Sequence, residues 1–460
     1  MSKTIFVHDW IYHLWGAEKV FGDIITHFIN NDIYTNDDIK KSDYIIYTLF
    51  SDKDSLEIKL DSEVRLKKDI KNPSMIDLLN EENKNAISKL ESDDIDDERS
   101  KKYTSNTIKI PIKTVLPRWL FGIFKYFEKK HVPIISKIFD YRNLMFFYPI
   151  LIWILRYKIR STNPTKIITS SFAVAKNTYA TQYRKDNDIY TMLYLHSPYM
   201  FLWNHFDKNK EKLDKFIGFF YKWARKIQIK WDLKDIYVDD IKYNSFYTKS
   251  LIDKIYYGKI IKSGDQYDKN NIRYPKVDEK YININIENNK IKDNKSDYYI
   301  YIWRIVRFSK ELDKIVGLFN DNGKNLYIVW SGPDEEYLKS ISLENIKYLG
   351  YIKDVDKKIE LMKWARWCIN LTLESFGLIN MESLLCGTPL FWYDKWGTRE
   401  IIWDDINIIW DEVGYLIKNL DKENLIREFE IFENNIDRGY YDHNKLRKHA
   451  LGMINKYCNR

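Results

Sequence analysis

Short apolar segments alternate with amphipathic and polar segments along the chain. In the first half an amphipathic helix is predicted near Glu18–Phe28, and apolar runs of strand length lie at Thr4–His8, Tyr44–Phe50, Lys166–Ser170, Tyr190–Leu195 and Ile236–Tyr243. Apolar strands that are separated by helices are typical of a parallel, doubly wound sheet with helices on both faces.

The second half repeats the alternation. Further strands are predicted at Tyr298–Ile302, Leu326–Trp330, Ile346–Leu349 and Cys368–Thr372. A polar stretch at about 264–297 separates the halves and is the best place for a domain boundary. The pattern therefore predicts an α/β protein of two Rossmann-like domains facing across a cleft, with the binding site at the carboxyl ends of both sheets.

Two segments of the first half depart from this pattern. Residues 52–107 are rich in Asp, Lys, Glu, Ser and Asn, which predicts an exposed, partly disordered insertion. Residues 108–157 are basic and aromatic, with Trp119, Phe121, Lys129 and Lys130 among them. Two interpretations of this second segment stay open: helices that lie on a membrane surface, and ordinary helices that pack on the first domain.

Composition narrows the classes of protein. The 460 residues are 45% hydrophobic and 30% charged, as in globular proteins, and three cysteines are too few to crosslink such a chain. The first residues lack the apolar core of a secretory signal, and the longest apolar run, Leu144–Leu155, is too short to span a membrane. These features predict a cytoplasmic protein. The formal charge of +8 is spread along the chain, so we expect no nucleic-acid partner.

The strongest chemical signal is a pair of glutamates after a predicted strand. Glu374 begins a turn that contains Phe376 and Gly377, and a helix is predicted at Leu378–Cys386, with Glu382 inside it. A helix that starts after a strand offers free backbone N–H groups and the positive end of its dipole, which suits a phosphate group. The two carboxylates could accept sugar or ribose hydroxyls, or could be ordinary glutamates on the helix surface.

Two cations and a histidine also follow predicted strands. Arg304 and Lys310 follow the strand Tyr298–Ile302, where they could neutralise a diphosphate, and His196 follows Tyr190–Leu195. Each also has a simpler interpretation, as solvated cations or as a structural histidine. No acidic cluster follows a strand in the way that metal–diphosphate sites require, so no metal is expected.

Taken together, these segments resemble the family 4 retaining glycosyltransferases of the GT-B fold, particularly the mannosyltransferase-like members. The resemblance covers most of the chain outside 52–107, and its supporting segments are His8-Asp9-Trp10, Gly16-Ala17-Glu18, Tyr194-Leu195-His196-Ser197-Pro198, Asn244-Ser245 and Tyr274-Pro275. The paired glutamates with Arg304 and Lys310 upstream are its most specific part. It implies domains at 1–292 and 293–435, with a helix at 436–460 that returns to the first domain.

The resemblance also implies roles. Arg304 and Lys310 would bind the diphosphate of a sugar nucleotide, with GDP-mannose as one candidate, and Gly16 would let its loop approach that diphosphate. Glu382 would hold the ribose hydroxyls. Catalysis would fall to Glu374 and His196, with the backbone N–H groups of Phe376, Gly377 and Leu378 positioning the sugar and β-phosphate. The acceptor would be a glycan or lipid-linked glycan of a cell-surface polysaccharide, reached at the inner membrane face, and no cofactor would be needed.

Other classes make different predictions. A glycoside hydrolase would use Glu374 and Glu382 as its carboxylate pair and would release sugar without a nucleotide. A basic binding protein for nucleic acid or anionic lipid would show salt-dependent affinity and no nucleotide binding.

Tryptophan and glycine counts disagree with ordinary composition. The chain has 16 Gly and 15 Trp, whereas an average usage of about 7% would give roughly 32 Gly. Four tryptophans, Trp15, Trp303, Trp330 and Trp396, stand where the similar family has glycine; Trp367 and Trp392 are further candidates. Either the protein is a catalytically impaired relative, or its gene uses a code in which UGA means glycine; we favour the second.

Overall fold

The computed structural model describes residues 3–11, 16–35, 43–60, 107–130, 147–178, 188–203, 215–262, 271–284, 297–306, 311–332, 334–372, 374–394, 396–401 and 413–457. The chain divides into two compact units. Unit 1 comprises Met1–Tyr194, Trp223–Ile241 and Lys259–Asp265, and unit 2 comprises Leu195–Lys222, Lys242–Gly258 and Gln266–Arg460. The predicted limits at 292 and 435 stay predictions.

The first sheet follows the predicted parallel pattern. Its strands are β1 (Thr4–His8), β2 (Tyr44–Thr48), β3 (Ser55–Lys59), β4 (Thr107–Thr114), β5 (Lys166–Ser171), β6 (Tyr190–Leu195) and β8 (Asp240–Tyr243). Their spatial order is β3-β4-β2-β1-β5-β6-β8, and β1 pairs in parallel with both β2 and β5. Two short strands, β7 (Ile236–Val238) and β9 (Ile260–Lys262), pair with each other in a separate sheet. The predicted strand Ile236–Tyr243 is therefore divided between two sheets.

The region predicted as an insertion contains one strand and ends at the start of another. Strand β3 lies inside the predicted insertion and pairs antiparallel with β4, while residues 61–106 lie outside the described part of the chain. In β3 Leu56 and Ile58 are buried, whereas their neighbours Glu57 and Lys59 are exposed. The expectation of an exposed insertion is thus wrong for residues 55–59, because an alternating pattern lets a charged segment cover one face of a sheet.

The second sheet has the Rossmann strand order. Its strands are β10 (Tyr298–Ile302), β11 (Asn325–Val329), β12 (Ile346–Gly350), β13 (Cys368–Asn370), β14 (Leu390–Tyr393) and β15 (Gly414–Ile417). All neighbouring pairs are parallel, and the order is β12-β11-β10-β13-β14-β15. Counted along the chain this order is 3-2-1-4-5-6, so it reverses between β10 and β13.

Helices connect the strands in both units. They are α1 (Gly16–Thr35), α2 (Arg118–Lys130), α3 (Tyr148–Arg160), α4 (Met200–Trp203), α5 (Lys215–Asp232), α6 (Phe246–Ile255), α7 (Glu279–Ile282), α8 (Leu312–Asn322), α9 (Glu335–Ile341), α10 (Val355–Trp364), α11 (Leu378–Leu385), α12 (Lys422–Asp437) and α13 (His443–Tyr457). Short 3-10 turns lie at Ala175–Thr178 and Trp396–Ile401. Alternating strands and helices confirm the predicted α/β class with two parallel sheets.

Aromatic side chains fill the core of unit 2. Trp367 is fully buried, and its ring contacts those of Tyr299, Phe391 and Phe429. Its indole N–H donates to the Glu433 carboxylate at 2.5 Å, and the Tyr299 hydroxyl donates to the same carboxylate at 2.6 Å. Trp367 therefore fits its position with its polar atom satisfied.

The last helix packs within unit 2. In α13, Leu446 and Ala450 are fully buried, and the Arg447 guanidinium donates to the Tyr281 and Leu385 carbonyls at 3.0 and 2.8 Å. Its predicted return to the first domain stays a prediction.

Candidate functional site

The reversal of strand order in unit 2 brings two predicted motifs to one edge. Strands β10 and β13 are hydrogen-bonded neighbours, with Ile300 opposite Cys368. Because they are parallel, the segments that follow them leave the sheet at the same edge. Arg304 follows β10, and Glu374 lies in the segment that follows β13. In open α/β sheets, ligands bind outside the carboxyl ends of the strands at such a switch point.

The turn after β13 ends in a glycine with a left-handed backbone. Gly377 has a φ of +91°, in the left-handed region, and it is the N-cap of α11 without a side-chain capping bond. A Cβ atom at this position would lie 2.7 Å from Nδ2 of Asn380. Glycine is favoured here for both reasons, and the N–H groups of Leu378 and Ile379 precede the first bond of the helix, from the Asn380 N–H to the Gly377 carbonyl at 2.9 Å.

A buried amide lies beneath this turn. Asn380 is fully buried, and its Oδ1 accepts from Nδ2 of Asn370 at 2.7 Å. Within the described part of the chain, Nδ2 of Asn380 has no hydrogen-bond partner. A buried N–H donor without a partner is costly in a folded protein, and it points toward the start of α11. Sequence reasoning missed Asn380, because an asparagine within a predicted helix carries no distinguishing pattern.

Glu374 is held by its own loop. The Thr372 hydroxyl donates to Oε1 of Glu374 at 3.2 Å, and the backbone N–H of Gly397 donates to the Glu374 carbonyl at 3.1 Å. A Cβ atom on Gly397 would lie only 1.8 Å from the Ser375 carbonyl oxygen, so no other residue fits at position 397 without moving the loop. Phe376 is 3% exposed and stacks on Tyr274 with 4.8 Å between ring centres. Packing thus fixes the Glu374–Gly377 turn from two sides.

Asn244 and Ser245 also contact this turn. Nδ2 of Asn244 donates to the Ser375 hydroxyl at 3.2 Å, and the Ser245 hydroxyl donates to the Ser375 carbonyl at 2.7 Å. Ser245 also caps α6 by accepting from the Thr248 N–H at 2.9 Å. The pair Asn244-Ser245 belonged to the family resemblance, but only the structure shows that it contacts the Glu374 turn.

The Glu400 carboxylate also caps the start of α6. Glu400 accepts from the backbone N–H groups of Phe246, at 2.8 Å, and Tyr247, and from the Tyr274 hydroxyl at 2.9 Å. Burial raises the pKa of Glu400 to about 7, although these hydrogen bonds lower it. Because Tyr274 also stacks on Phe376, Glu400 supports the turn indirectly. The sequence analysis did not single out Glu400.

Arg304 is positioned by a close contact between two loops. The N–H of the next residue, Ile305, donates to the Ser331 carbonyl at 3.2 Å. A Cβ atom on Gly332 would lie 2.0 Å from the Ile305 carbonyl oxygen, so glycine is required there too. Arg304 is partly buried at the carboxyl end of β10. Lys310, its predicted partner, lies outside the described residues.

Glu382 lies inside unit 2. It is 7% exposed on α11, and Tyr281 lies close to it. Burial and the charge of Glu382 raise the pKa of Tyr281 well above its usual range. Leu378, the first residue of α11, is partly exposed. The predicted roles of Glu382 and Leu378 in donor binding stay predictions.

His196 directly follows β6, as predicted. Its side chain is buried, and its carbonyl accepts from the Thr248 hydroxyl at 3.1 Å. This bond ties His196 to α6, the helix that Ser245 and Glu400 cap. Its predicted catalytic role stays a prediction.

The corresponding edge of the first sheet is filled by the protein itself. The fully buried Asp9 carboxylate follows β1 and accepts from the backbone N–H groups of four consecutive residues, Phe172 to Ala175, at 2.6 to 3.0 Å. This nest of N–H groups is of the kind that binds phosphate elsewhere, but here a side chain occupies it. Gly16 begins α1, and a Cβ atom there would meet nothing within 4 Å.

The tryptophans that stand where the similar family has glycine differ in how well their backbone and side chains fit the structure. Trp330 has a φ of +138°, a backbone conformation that residues with a side chain rarely adopt. The indole N–H of the fully buried Trp392 has no partner within the described residues, whereas that of Trp367 has one. Trp303 is 7% exposed and packs against Tyr301 in the core of unit 2. Trp15 lies outside the described residues.

Metal-binding clusters and membrane-spanning helices are both absent from the described residues. These residues contain no group of three or more His, Cys, Asp or Glu side chains arranged to hold a metal ion. Across the same residues, no helix is both long enough and apolar enough to cross a membrane.

Comparison with known proteins gives a family match for part of the chain. Residues 283–448, which include Arg304 and the Glu374 turn, match the family of glycosyl transferases group 1. No curated protein sequence matches the chain. The family match supports a glycosyltransferase that takes its sugar from a sugar nucleotide.

Several solved structures share the fold over nearly the whole chain. Sucrose-phosphate synthase from Thermosynechococcus elongatus is 12% identical with a TM-score of 0.58, and the match covers 99% of this chain and 96% of that one. Anabaena HepE in complex with UDP and glucose is 11% identical with a TM-score of 0.54, covering 99% and 95%. WaaG, a glycosyltransferase involved in lipopolysaccharide biosynthesis, is 9% identical with a TM-score of 0.51, covering 97% and 95%. These likenesses confirm the GT-B fold.

Proposed function

We propose that this glycosyltransferase moves a hexose from a sugar nucleotide to a glycan or lipid-linked acceptor in cell-surface polysaccharide synthesis, on the cytoplasmic side of the membrane. The family match and the fold support the transferase. The hexose, the acceptor, the pathway and transfer with retention of configuration rest on the family 4 resemblance. GDP-mannose is the donor that the resemblance favours, whereas HepE was solved with UDP and glucose.

One observation supports the proposal most directly. At the switch point of unit 2, Arg304 and the start of helix α11 follow two neighbouring strands. Arg304 follows β10, and the left-handed Gly377 exposes the first N–H groups of α11 after β13. A diphosphate needs charge neutralisation and several N–H donors, and these elements supply both. Glu374 lies next to the same turn, where its carboxylate could accept hydrogen bonds from hydroxyls of the transferred sugar.

The proposed chemistry needs stabilisation of a leaving group. As the bond from the sugar to the nucleotide breaks, negative charge grows on the diphosphate, and Arg304 and the start of α11 would stabilise that charge. These donors are held in place before the reaction by Gly332 and Gly397, whose positions admit no side chain. No metal or cofactor enters this scheme.

Calorimetric titration with UDP and GDP tests the proposal. We expect one of them to bind, and Arg304→Ala to weaken that binding roughly 10- to 100-fold, because a hydrogen bond to a charged group contributes about 1.5–3 kcal/mol. Arg438→Ala is the matched control, since Arg438 is exposed at the end of α12 in the same unit.

Failure of both nucleotides to bind either this chain or a form with Gly at positions 15, 303, 330 and 396 would contradict the proposal. Release of sugar from a glycan without any nucleotide would favour the hydrolase interpretation instead. Once a donor is found, the anomeric configuration of the product, measured by NMR, decides between retention and inversion.

A further inference from the structure

Glu400 joins three segments of unit 2 that contact the Glu374 turn. It lies three residues after Gly397, whose N–H donates to the Glu374 carbonyl at 3.1 Å. Its carboxylate accepts from the first two backbone N–H groups of α6 and, at 2.9 Å, from the hydroxyl of Tyr274, whose ring stacks on Phe376. Release of this carboxylate would therefore free α6 and Tyr274 from the loop that supports the turn at the same time.

The start of α6 contacts the segments of both residues to which catalysis was assigned. Ser245, the N-cap of α6, donates to the carbonyl of Ser375, which adjoins Glu374 in the chain, at 2.7 Å. Three residues later, the Thr248 hydroxyl donates to the His196 carbonyl at 3.1 Å. The position of α6 therefore helps to set the backbone on both sides of the predicted chemistry.

The Glu400 carboxylate suits this position because it offers acceptors only. All three hydrogen bonds are donated to it, and two of the donors are backbone N–H groups, which cannot act as acceptors. A glutamine here would keep the length of the side chain but would have a single acceptor oxygen. Whichever way its amide turned, one backbone N–H of α6 would face an NH₂ group. Glu400→Gln therefore disrupts the cap of α6 with almost no change in side-chain volume.

We propose that Glu400 is a positioning residue for sugar transfer: by capping α6 and binding Tyr274, its carboxylate fixes the Glu374 turn and the His196 backbone relative to each other. Glu400 touches no reacting atom in this scheme and acts through the segments that it holds. Transfer needs reacting groups in register, and a misplacement of about 1 Å can lower a rate roughly 100-fold. The inference rests on the proposed function in one respect, since it takes Glu374 and His196 as the residues that act on the sugar.

Hydrogen exchange of the full chain, followed by mass spectrometry, tests the contacts without any nucleotide. In Glu400→Gln we expect amide exchange in residues 244–248 and 374–379 to be roughly 10- to 100-fold faster, because hydrogen bonds to a charged acceptor are lost from the cap. Tyr274→Phe keeps both backbone bonds to Glu400 and the ring contact with Phe376. Its increase in exchange should therefore be at least roughly threefold smaller.

A glutamate elsewhere in unit 2 supplies the matched control. Glu428 on α12 also accepts from a tyrosine hydroxyl, that of Tyr415, at 2.5 Å. Glu428→Gln makes the same chemical change away from the Glu374 turn, so both segments should exchange as in the wild type.

Release of nucleoside diphosphate from UDP-glucose or GDP-mannose separates positioning from a purely structural role. For the donor that turns over, Glu400→Gln should lower kcat roughly tenfold or more, whereas KM for the donor should change less than about threefold, because Arg304 and the first N–H groups of α11 stay in place. Glu428→Gln should keep the wild-type kcat. A structural role alone would lower the free energy of unfolding and leave kcat unchanged.

Three results would overturn the inference: unchanged exchange at 374–379 in Glu400→Gln, an equal change in Glu428→Gln, or an unchanged kcat. Failure of UDP and GDP to bind would contradict the proposed function instead. In that case the exchange experiment alone decides whether Glu400 holds the turn.

Discussion

Position 330 offers a direct test of whether glycine belongs where the chain has tryptophan. Trp330 directly follows β11, and its N–H donates to the Gly350 carbonyl at 2.9 Å. Its indole meets the Tyr351 ring edge-on at 4.8 Å. Its φ of +138° is open to glycine but disfavoured for any residue with a Cβ atom. The perturbation is therefore a pair of substitutions, Trp330→Gly and Trp330→Ala.

The comparison of the two variants isolates the backbone effect. Both lose the ring pair with Tyr351, which contributes about 0.5–1.5 kcal/mol. Only Trp330→Ala keeps a Cβ atom in the strained conformation, which costs on the order of 1–3 kcal/mol. At an ordinary strand position, alanine is favoured over glycine by about 0.5–1 kcal/mol. Taking the middle of each range, we therefore expect Trp330→Gly to be more stable than Trp330→Ala by about 1 kcal/mol, opposite in sign to the usual order.

Trp392 supplies the control. It lies inside β14, in register with Asn370 and Leu416, and is not among the described residues with positive φ. Trp392→Ala should therefore be more stable than Trp392→Gly. Urea unfolding followed by far-UV circular dichroism at one pH and temperature gives all four free energies of unfolding.

Equal stability of the two variants at position 330, or an advantage for Trp330→Ala, would refute the reasoning. The gene gives an independent answer: a UGG codon at positions 15, 303, 330 and 396 would contradict the recoding hypothesis. The interpretation as an impaired relative would then stand.

Three further predictions concern the support of the site and the stability of the fold. Gly397→Ala should weaken binding of the nucleoside diphosphate at least roughly tenfold in calorimetry, because the new Cβ atom would lie 1.8 Å from the Ser375 carbonyl oxygen and displace the Glu374 turn. Gly452→Ala is the control and should bind normally, because a Cβ atom there would have nothing within 4 Å. Lys176→Met should lower the free energy of unfolding by about 3–5 kcal/mol, since it strands the Asp232 carboxylate that pairs with Lys176 where both side chains are fully buried. Adding Asp232→Leu should restore part of that loss, and a single-variant effect below about 1 kcal/mol in urea unfolding would contradict the prediction. Glu400→Gln should change how stability depends on pH. Burial raises the pKa of Glu400 from 4.5 to about 7, so between these pH values the folded state binds a proton that the unfolded state releases. The free energy of unfolding of the wild type therefore falls as pH rises from about 4.5 to about 7. Urea unfolding at pH 5, 6 and 8 should show that the variant lacks this fall, and parallel curves would argue against it.

Local patterns predicted much of the fold. Mainly apolar runs such as Thr4–His8 and Tyr298–Ile302 are strands in the structure, because a segment buried on both faces is apolar at most positions. Strand β4 was missed, although Ile108, Ile110 and Ile112 alternate with polar residues, because its charged neighbours suggested an exposed segment.

The sequence by itself determined which chemistry follows which strand. Arg304 and Glu374 come after apolar segments, and parallel strands end at a common edge, so their grouping could be predicted before strand order was known. Only the tertiary structure decided that β10 and β13 are neighbours, that Asn244 contacts the Ser375 loop, and that Asp9 fills the nest in unit 1. Periodicity reports whether a residue is buried or exposed. Strand neighbours and loop contacts depend instead on packing between segments far apart in the chain, about which local periodicity carries no information.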